Sequence, residues 1–284
     1  MTTITTLKEA IALHVKPGMT VALEGFTHLI PNAAGLEIIR QGIKNLTLIR
    51  MTPDLVYDQM VGMGCADRMI FSWGGNPGVG SLHRFRDAYE NANPHMLAIE
   101  EHDHAAMANA YAAGAAGLPF AVFDGYKGTS YANHNANIRS ITCPFTGKEL
   151  TAIPALRPDV GIIHAQRADH DGNVWLDGIC GVQKETVLAS THTIVTVEEM
   201  VDHVSESQGG CVIPNWVIDA VCKTPYGAFP SYASGYYERN NSFYLQWDEV
   251  SRDYDRFLDW MQTFVLETQD FSEYLKKLRE AKYV

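Results

Sequence analysis

The sequence predicts an α/β fold, an open and mostly parallel sheet flanked by helices. Three observations carry this expectation. Short strand-like runs alternate with helix-spaced apolar segments over the N-terminal part of the chain, as βα units do. Residues 160–165 (Val-Gly-Ile-Ile-His-Ala) are almost uniformly apolar, the pattern of a strand covered on both faces. The composition, 46% hydrophobic and 19% charged with 23 glycines in 284 residues, suits a large core with many tight turns and excludes a coiled coil or a disordered scaffold.

Taken in order, residues 6–15 carry apolar side chains at helical spacing, and Lys16-Pro17-Gly18 then turns the chain. Residues 19–23 (Met-Thr-Val-Ala-Leu) form a strand running into Glu24-Gly25-Phe26-Thr27-His28. A helix is predicted at 32–41, a strand at 46–51, a second helix at 53–62, and a short apolar strand at 68–73 ending in Gly74-Gly75. Residues 105–117 read as a helix built mostly of small side chains, able to approach another backbone closely. The stretch 124–141, rich in Gly, Ser, Asn and Tyr, predicts a long surface loop over or beside the site. Strands follow at 150–153, 160–165 and the β-branched 193–197. Residues 225–244 hold many aromatics and glycines without a clear period, and amphipathic helices are predicted at 249–266 and 271–281. No repeat, low-complexity tract or linker divides the chain, so one continuous domain over 1–284 is expected.

The formal charge of −11 argues against general binding of nucleic acid, which needs a basic face to displace counterions. Cys65, Cys143, Cys180, Cys211 and Cys222 are odd in number, scattered and without a Cys-x-x-Cys pair, so neither a disulfide framework nor a zinc site is signalled. Reduced thiols in the cytoplasm are the expectation. The first residues lack the basic-then-apolar pattern of a secretory signal, and no apolar run reaches the roughly 18 residues that a membrane span requires.

Three segments carry candidate chemistry. The first is Glu24-Gly25-Phe26-Thr27-His28, at the carboxyl end of a strand where α/β sheets collect ligands. Its bland counterpart is an ordinary βα turn. The second is the Gly-rich stretch 73–86, containing Gly75, Asn76, Arg84 and Arg86. It fits neither the dinucleotide fingerprint nor a P-loop, yet it can hold an anion or serve as a turn before a solvated basic helix. The third is Glu100-Glu101-His102-Asp103-His104, where Glu101 and His104 at a spacing of three would share a helical face and could move protons. Asp103 alone is explained by capping. His102, His104 and His164 with Asp169-His170-Asp171 lack the spacings of a zinc site, and there is no Gly-x-Ser-x-Gly. No metal is expected. His164 reads as a hydrogen-bonded core residue and 169–173 as a turn.

Six segments in order, 23–27, 40–47, 75–86, 113–120, 162–166 with 172–174, and 225–237, resemble the A subunits of family I CoA transferases. The resemblance runs from about residue 5 to 280 and implies a CoA-transferase-type sheet. It implies a partner, the B subunit, in a heterodimer or heterotetramer. No cofactor is implied beyond a coenzyme A thioester as substrate, with CoA moving from succinyl-CoA to a dicarboxylic acid. In the branch matched most closely that acid is 3-oxoadipate. The family's nucleophile is a glutamate of the B subunit that forms a glutamyl-CoA thioester in a ping-pong cycle, so this chain alone would be inactive. His104 stands where several members carry an active-site glutamine, which assigns it a polarising role. Pro77 stands where one member has serine, and Glu24 where the usual Gly-Gly-Phe has its first glycine. Gly25, Phe26, Thr27, Gly75, Asn76 and Arg84 become the expected substrate-binding wall. A related branch hydrolyses a ring of a steroid-derived CoA thioester with a glutamate of the A subunit itself, and Glu101 aligns with that glutamate. Two further readings stay open: a glutaconate-type transferase using another dicarboxylate, and a non-enzymatic metabolite-sensing domain.

Overall fold

The computed structural model describes residues 2–76, 78–205 and 209–283. The chain opens with β1 (Thr3–Ile4), α1 (Leu7–His14), β2 (Thr20–Glu24), α2 (Asn32–Arg40), β3 (Leu46–Arg50) and α3 (Leu55–Gly62). It continues through β4 (Ala66–Phe71), α4 (His83–Asn91), β5 (Ala98–Glu101) and α5 (His104–Ala115). A smaller unit follows, of β6 (Phe120–Phe123), α6 (Tyr131–His134), β7 (Arg139–Thr142) and β8 (Glu149–Pro154). Next come β9 (Val160–Asp169), β10 (Val174–Leu176), α7 (Gln183–Ala189), β11 (His192–Val201), β12 (Cys211–Ile213) and β13 (Ala220–Lys223). Last are α8 (Asn241–Ser251), α9 (Tyr254–Met261) and α10 (Phe271–Glu280).

The main sheet runs β1-β13-β11-β9-β2-β3-β4-β5, and every pairing along that path is parallel. An antiparallel extension, β10 with β12, hangs on the end of β9. Alternation along β2 shows how the sheet is covered on both sides. Leu23 packs into the large cluster with Val56, Met60, Phe243 and Trp247, while its neighbour Ala22 faces Met107 and Tyr111 of α5. The expected open parallel sheet between helix layers is present.

Two stretches differ from their predicted form. Residues 124–141 are not only loop: they contain α6 and enter β7, which pairs with β8 in an antiparallel three-stranded sheet. Most of β7 is exposed, so no alternation marked it in the sequence. The helix predicted at 249–266 is really two. α8 ends at Ser251 and α9 begins at Tyr254, capped by Asp253, whose Oδ1 accepts from Arg256 N at 2.8 Å.

α5 does approach other backbone closely, and its target is the protein. A Cβ added at Gly114 would lie 1.9 Å from Leu156 O and 3.1 Å from Ala189 Cβ. Because the strands are parallel, their carboxyl ends share one edge. Met51 N donates to Glu24 Oε1 (3.0 Å), Ser72 Oγ to Met51 O (2.6 Å) and His102 N to Phe71 O (2.8 Å). The three candidate segments therefore line the same edge of the sheet.

Candidate active site

Residues 25–31 form a tight loop after β2. A Cβ at Gly25 would fall 2.5 Å from Leu29 O, so glycine is required by the loop's own return path rather than by a ligand. Thr27 and Leu29 hold positive φ of 62° and 52°, a strained pair that outside contacts must maintain. The aromatic-rich segment after β13 supplies them. Ser231 Oγ donates to Thr27 O (2.8 Å), Leu29 N to Tyr232 O (2.9 Å) and Ala33 N to Gly227 O (2.9 Å). His28 stacks on Tyr232 with ring centroids 4.9 Å apart, and its Nε2 lies 3.0 Å from Ile179 O. Burial holds this imidazole below its ordinary pKa, so the neutral ring donates to that carbonyl.

Above this loop lies a hollow of about 150 Å³ whose walls include Phe26, Thr27, Arg50, Trp73, Arg239 and Tyr244. That is room for about five water molecules or a short carbon chain. Arg50 is fully buried: it donates to Asp54 Oδ1 (3.1 Å) and Gly25 O (3.0 Å), and its Nε has no partner among the described residues. Arg239 lies 4.3 Å over the Tyr244 ring. Asp54, itself in the wall of the hollow, pairs with Arg50 and offsets its charge, so the Arg239 guanidinium among the aromatic side chains is the group suited to a carboxylate.

Glu24 lies behind the hollow, 2% exposed, and accepts at Oε1 from Tyr111 OH (2.9 Å) and Met51 N (3.0 Å). Burial pushes its carboxyl up to about 7 against the opposing charge of Arg50 and these hydrogen bonds. Glu24 therefore ties the end of β2 to α5 and to the residue that follows β3.

The Gly-rich stretch splits into two parts. Gly75 lies against the Trp73 ring, where a Cβ would meet Cη2 at 2.8 Å, and its N donates to Pro53 O (3.1 Å). Asn76 is 2% exposed, and neither its Oδ1 nor its Nδ2 finds a partner among the described residues. Pro77 lies outside the described residues. Arg84 is placed elsewhere: Nε donates to Ser251 O (2.7 Å), Nη2 to Arg252 O (3.2 Å) and Nη1 to Asp87 Oδ2 (3.0 Å). Its guanidinium terminates α8 and is not brought to the hollow.

The third segment also divides. Asp103 caps α5, accepting from Ala106 N at 2.6 Å. Glu100 is buried against His102 Nε2 (2.9 Å) and Asn137 Nδ2 (2.8 Å). Burial opposes its charge, but those hydrogen bonds and the charges of His102 and Arg68 outweigh it and hold the carboxyl down at about 2. Glu101 and His104 do not share a helix: Glu101 ends β5, and His104 opens α5 beyond the cap. Both side chains are exposed. Glu101 faces a separate groove of about 1000 Å³ along the β5 edge, with Tyr131 and His134 opposite. His164 is a core residue with Nε2 2.7 Å from Glu198 Oε1 and Nδ1 2.8 Å from Thr196 Oγ1. Among the described residues no group of three His, Cys, Asp or Glu side chains could hold a metal, and no helix is long and apolar enough to cross a membrane.

Arg50, Asp54, Arg239 and Tyr244 did not stand out as site residues in the sequence. Arg50 offered a faint signal, a charge ending an apolar strand, whereas nothing local marks Arg239, which reaches the hollow only through the fold.

The fold that carries this site is shared with known proteins. The model of the coenzyme A transferase family matches residues 4–224, and the chain belongs to that family. It is 57% identical to the A subunit of 3-oxoadipate CoA-transferase from Pseudomonas knackmussii, over 99% of this chain and all of that protein. The crystal structure of glutaconate coenzyme A-transferase from Acidaminococcus fermentans superposes with a TM-score of 0.92 at 32% identity, covering 99% of this chain and 94% of that one. More distant is the cholesterol ring-cleaving hydrolase IpdA subunit of Rhodococcus jostii, 23% identical over 94% of this chain and 93% of that protein.

Proposed function

We propose that this chain is the A subunit of a cytoplasmic CoA transferase that moves CoA from succinyl-CoA to 3-oxoadipate, active only with its B-type partner. The observation that carries the reading is the full-length identity of 57% to a protein of that name. In this mechanism a glutamate of the partner attacks the thioester carbonyl and expels CoA thiolate, leaving an acyl-glutamyl anhydride; the thiolate then attacks the glutamyl carbonyl, releasing the donor acid, and the acceptor carboxylate collects CoA by the reverse sequence. This chain contributes binding and orientation. Arg239 holds the far carboxylate of the dicarboxylic acyl group in the hollow, with the Arg50–Asp54 pair fixed behind it and Phe26, Thr27 and Trp73 along the carbon chain. Gly75 and Asn76 form the neighbouring wall, and the unpaired Asn76 amide is a group that acyl-CoA or the partner chain would satisfy. His104, exposed at the first position of α5, donates to the developing oxyanion.

The second reading, a CoA-thioester ring-opening hydrolase, rests on Glu101 lying exposed beside a large groove and on the similarity to the IpdA protein. Glu101→Ala in the two-chain complex separates the two. A transferase keeps a glutamyl-CoA intermediate that borohydride or hydroxylamine traps. Failure of the trap in the wild type, together with water-dependent ring opening that Glu101→Ala abolishes, would replace the first reading by the second.

A further inference from the structure

His164 sits in the sheet core, yet a line of contacts leads from it to the hollow. Glu198 of β11, buried beside it, accepts through Oε1 from His164 Nε2 (2.7 Å) and Tyr237 OH (2.6 Å), and through Oε2 from Tyr226 N (2.7 Å). Burial opposes the charge of this carboxyl, but the bonds to His164, Tyr237 and Tyr226 prevail and hold it below the ordinary carboxylate range. Tyr237 OH also accepts from Ala228 N (3.0 Å). Gly227 lies against the imidazole, where a Cβ would meet His164 Cε1 at 2.8 Å. Residues 226, 227, 228 and 237 are thus all held at one buried imidazole–carboxylate pair.

The segment so held is the one that shapes the hollow. Between β13 and α8 the chain forms turns and isolated bridges rather than helix or strand, so side chains must fix its course. Gly227 O, Ser231 Oγ and Tyr232 O make the bonds that hold residues 27–33, where Thr27 and Leu29 keep positive φ. Two residues beyond Tyr237 stands Arg239, the guanidinium in the wall of the hollow.

We propose that the His164–Glu198 pair, acting through Tyr237, is the positioning element of the hollow, setting both the 27–33 loop and the placement of Arg239, on the reading of that hollow as the dicarboxylate site. Left-handed residues such as Thr27 and Leu29 persist only while their surroundings hold them. A guanidinium that drifts loses its paired contact with a carboxylate although its charge remains. The sheet itself does not depend on the pair, because β9 and β11 are joined by parallel backbone pairing on both sides of His164 and Thr196. Loosening Tyr237 therefore alters the site while the core that carries it stays intact.

The test uses Tyr237→Phe in the complex with the partner, a change that removes the hydroxyl and keeps the ring stacked on Tyr226, centroids 4.7 Å apart. Amide hydrogen exchange read by mass spectrometry should show Leu29 N and Ala33 N, neither of which bonds to Tyr237, exchanging at least about fivefold faster than in the wild type. Steady-state kinetics should show KM for dicarboxylic acids raised about fivefold with kcat within about twofold, and acceptors lacking the second carboxylate unaffected. Glu198→Gln sets an amide N–H against either Tyr226 N or the His164–Tyr237 side, and should give the same pattern more strongly. Wild-type exchange at Leu29 and Ala33 in Tyr237→Phe, or an unmoved KM for dicarboxylic acids, would overturn the proposal. So would a loss spread equally over both kinds of acceptor, the mark of general loosening. A wild-type complex with no transferase activity would instead strike the functional reading, and exchange at Leu29 and Ala33 would still decide whether the pair anchors the loop.

Discussion

Replacing Glu24 by Gln tests whether burial governs the chemistry behind the hollow. Glutamine keeps an oxygen for Met51 N and Tyr111 OH but cannot ionise. In the folded chain Glu24 titrates near 7, against 4.5 for the free side chain. Between those values the folded state holds a proton that the unfolded state has released. The wild type is therefore favoured below 4.5 and loses that contribution as pH rises towards 7. At 1.36 kcal/mol per unit the full span is worth about 3 kcal/mol, of which about 2.5 kcal/mol falls between pH 5 and pH 8. Urea unfolding of both proteins at these two pH values reads the effect. Asp54 and Asp58 are also pushed up by burial, but they are common to both proteins and cancel in the difference. The stability of Glu24→Gln relative to wild type should rise by about 2.5 kcal/mol from pH 5 to pH 8. A relative stability unchanged across that range would refute the reasoning and mean that Glu24 is already ionised at pH 5.

Three other substitutions probe separate parts of the structure. Arg84→Ala removes the group that terminates α8 and should lower stability by about 3 kcal/mol in thermal or urea unfolding, with KM for succinyl-CoA unchanged in the folded complex. A raised KM with unchanged stability would return Arg84 to the substrate site. Gly25→Ala forces a Cβ onto the Leu29 carbonyl and should cost about 2 kcal/mol while lowering kcat/KM at least about tenfold; wild-type kinetics would show that the loop geometry does not matter. Arg239→Gln should raise KM for both dicarboxylic substrates about tenfold or more and barely affect acceptors lacking the second carboxylate, a selectivity that steady-state kinetics measures directly.

The fold was legible because parallel βα units advertise themselves through uniformly apolar strands such as 160–165, which became the centre of β9. What escaped depended on partners far away in the chain. The break between α8 and α9 has its cause in Arg84, which satisfies carbonyls across the structure at Ser251 and Arg252. The charged segment before α5 looked like one acid/base centre. It separated into the cap at Asp103, the buried Glu100–His102 pair and two exposed side chains on different elements. The spacing of three between Glu101 and His104 carried no helical meaning, since a strand ends between them. Gly25 was visible as a special position, though the reason is the return of its own loop. Arg239 left no local pattern at all.

The central claim is that this chain is one half of a succinyl-CoA:3-oxoadipate transferase. It is tested most directly by purifying this chain, its partner and their complex separately, then following oxoadipyl-CoA formation from succinyl-CoA and 3-oxoadipate. Product is expected from the complex and from neither component by itself. A well-folded complex without that activity, or the same turnover from this chain on its own, would contradict the claim.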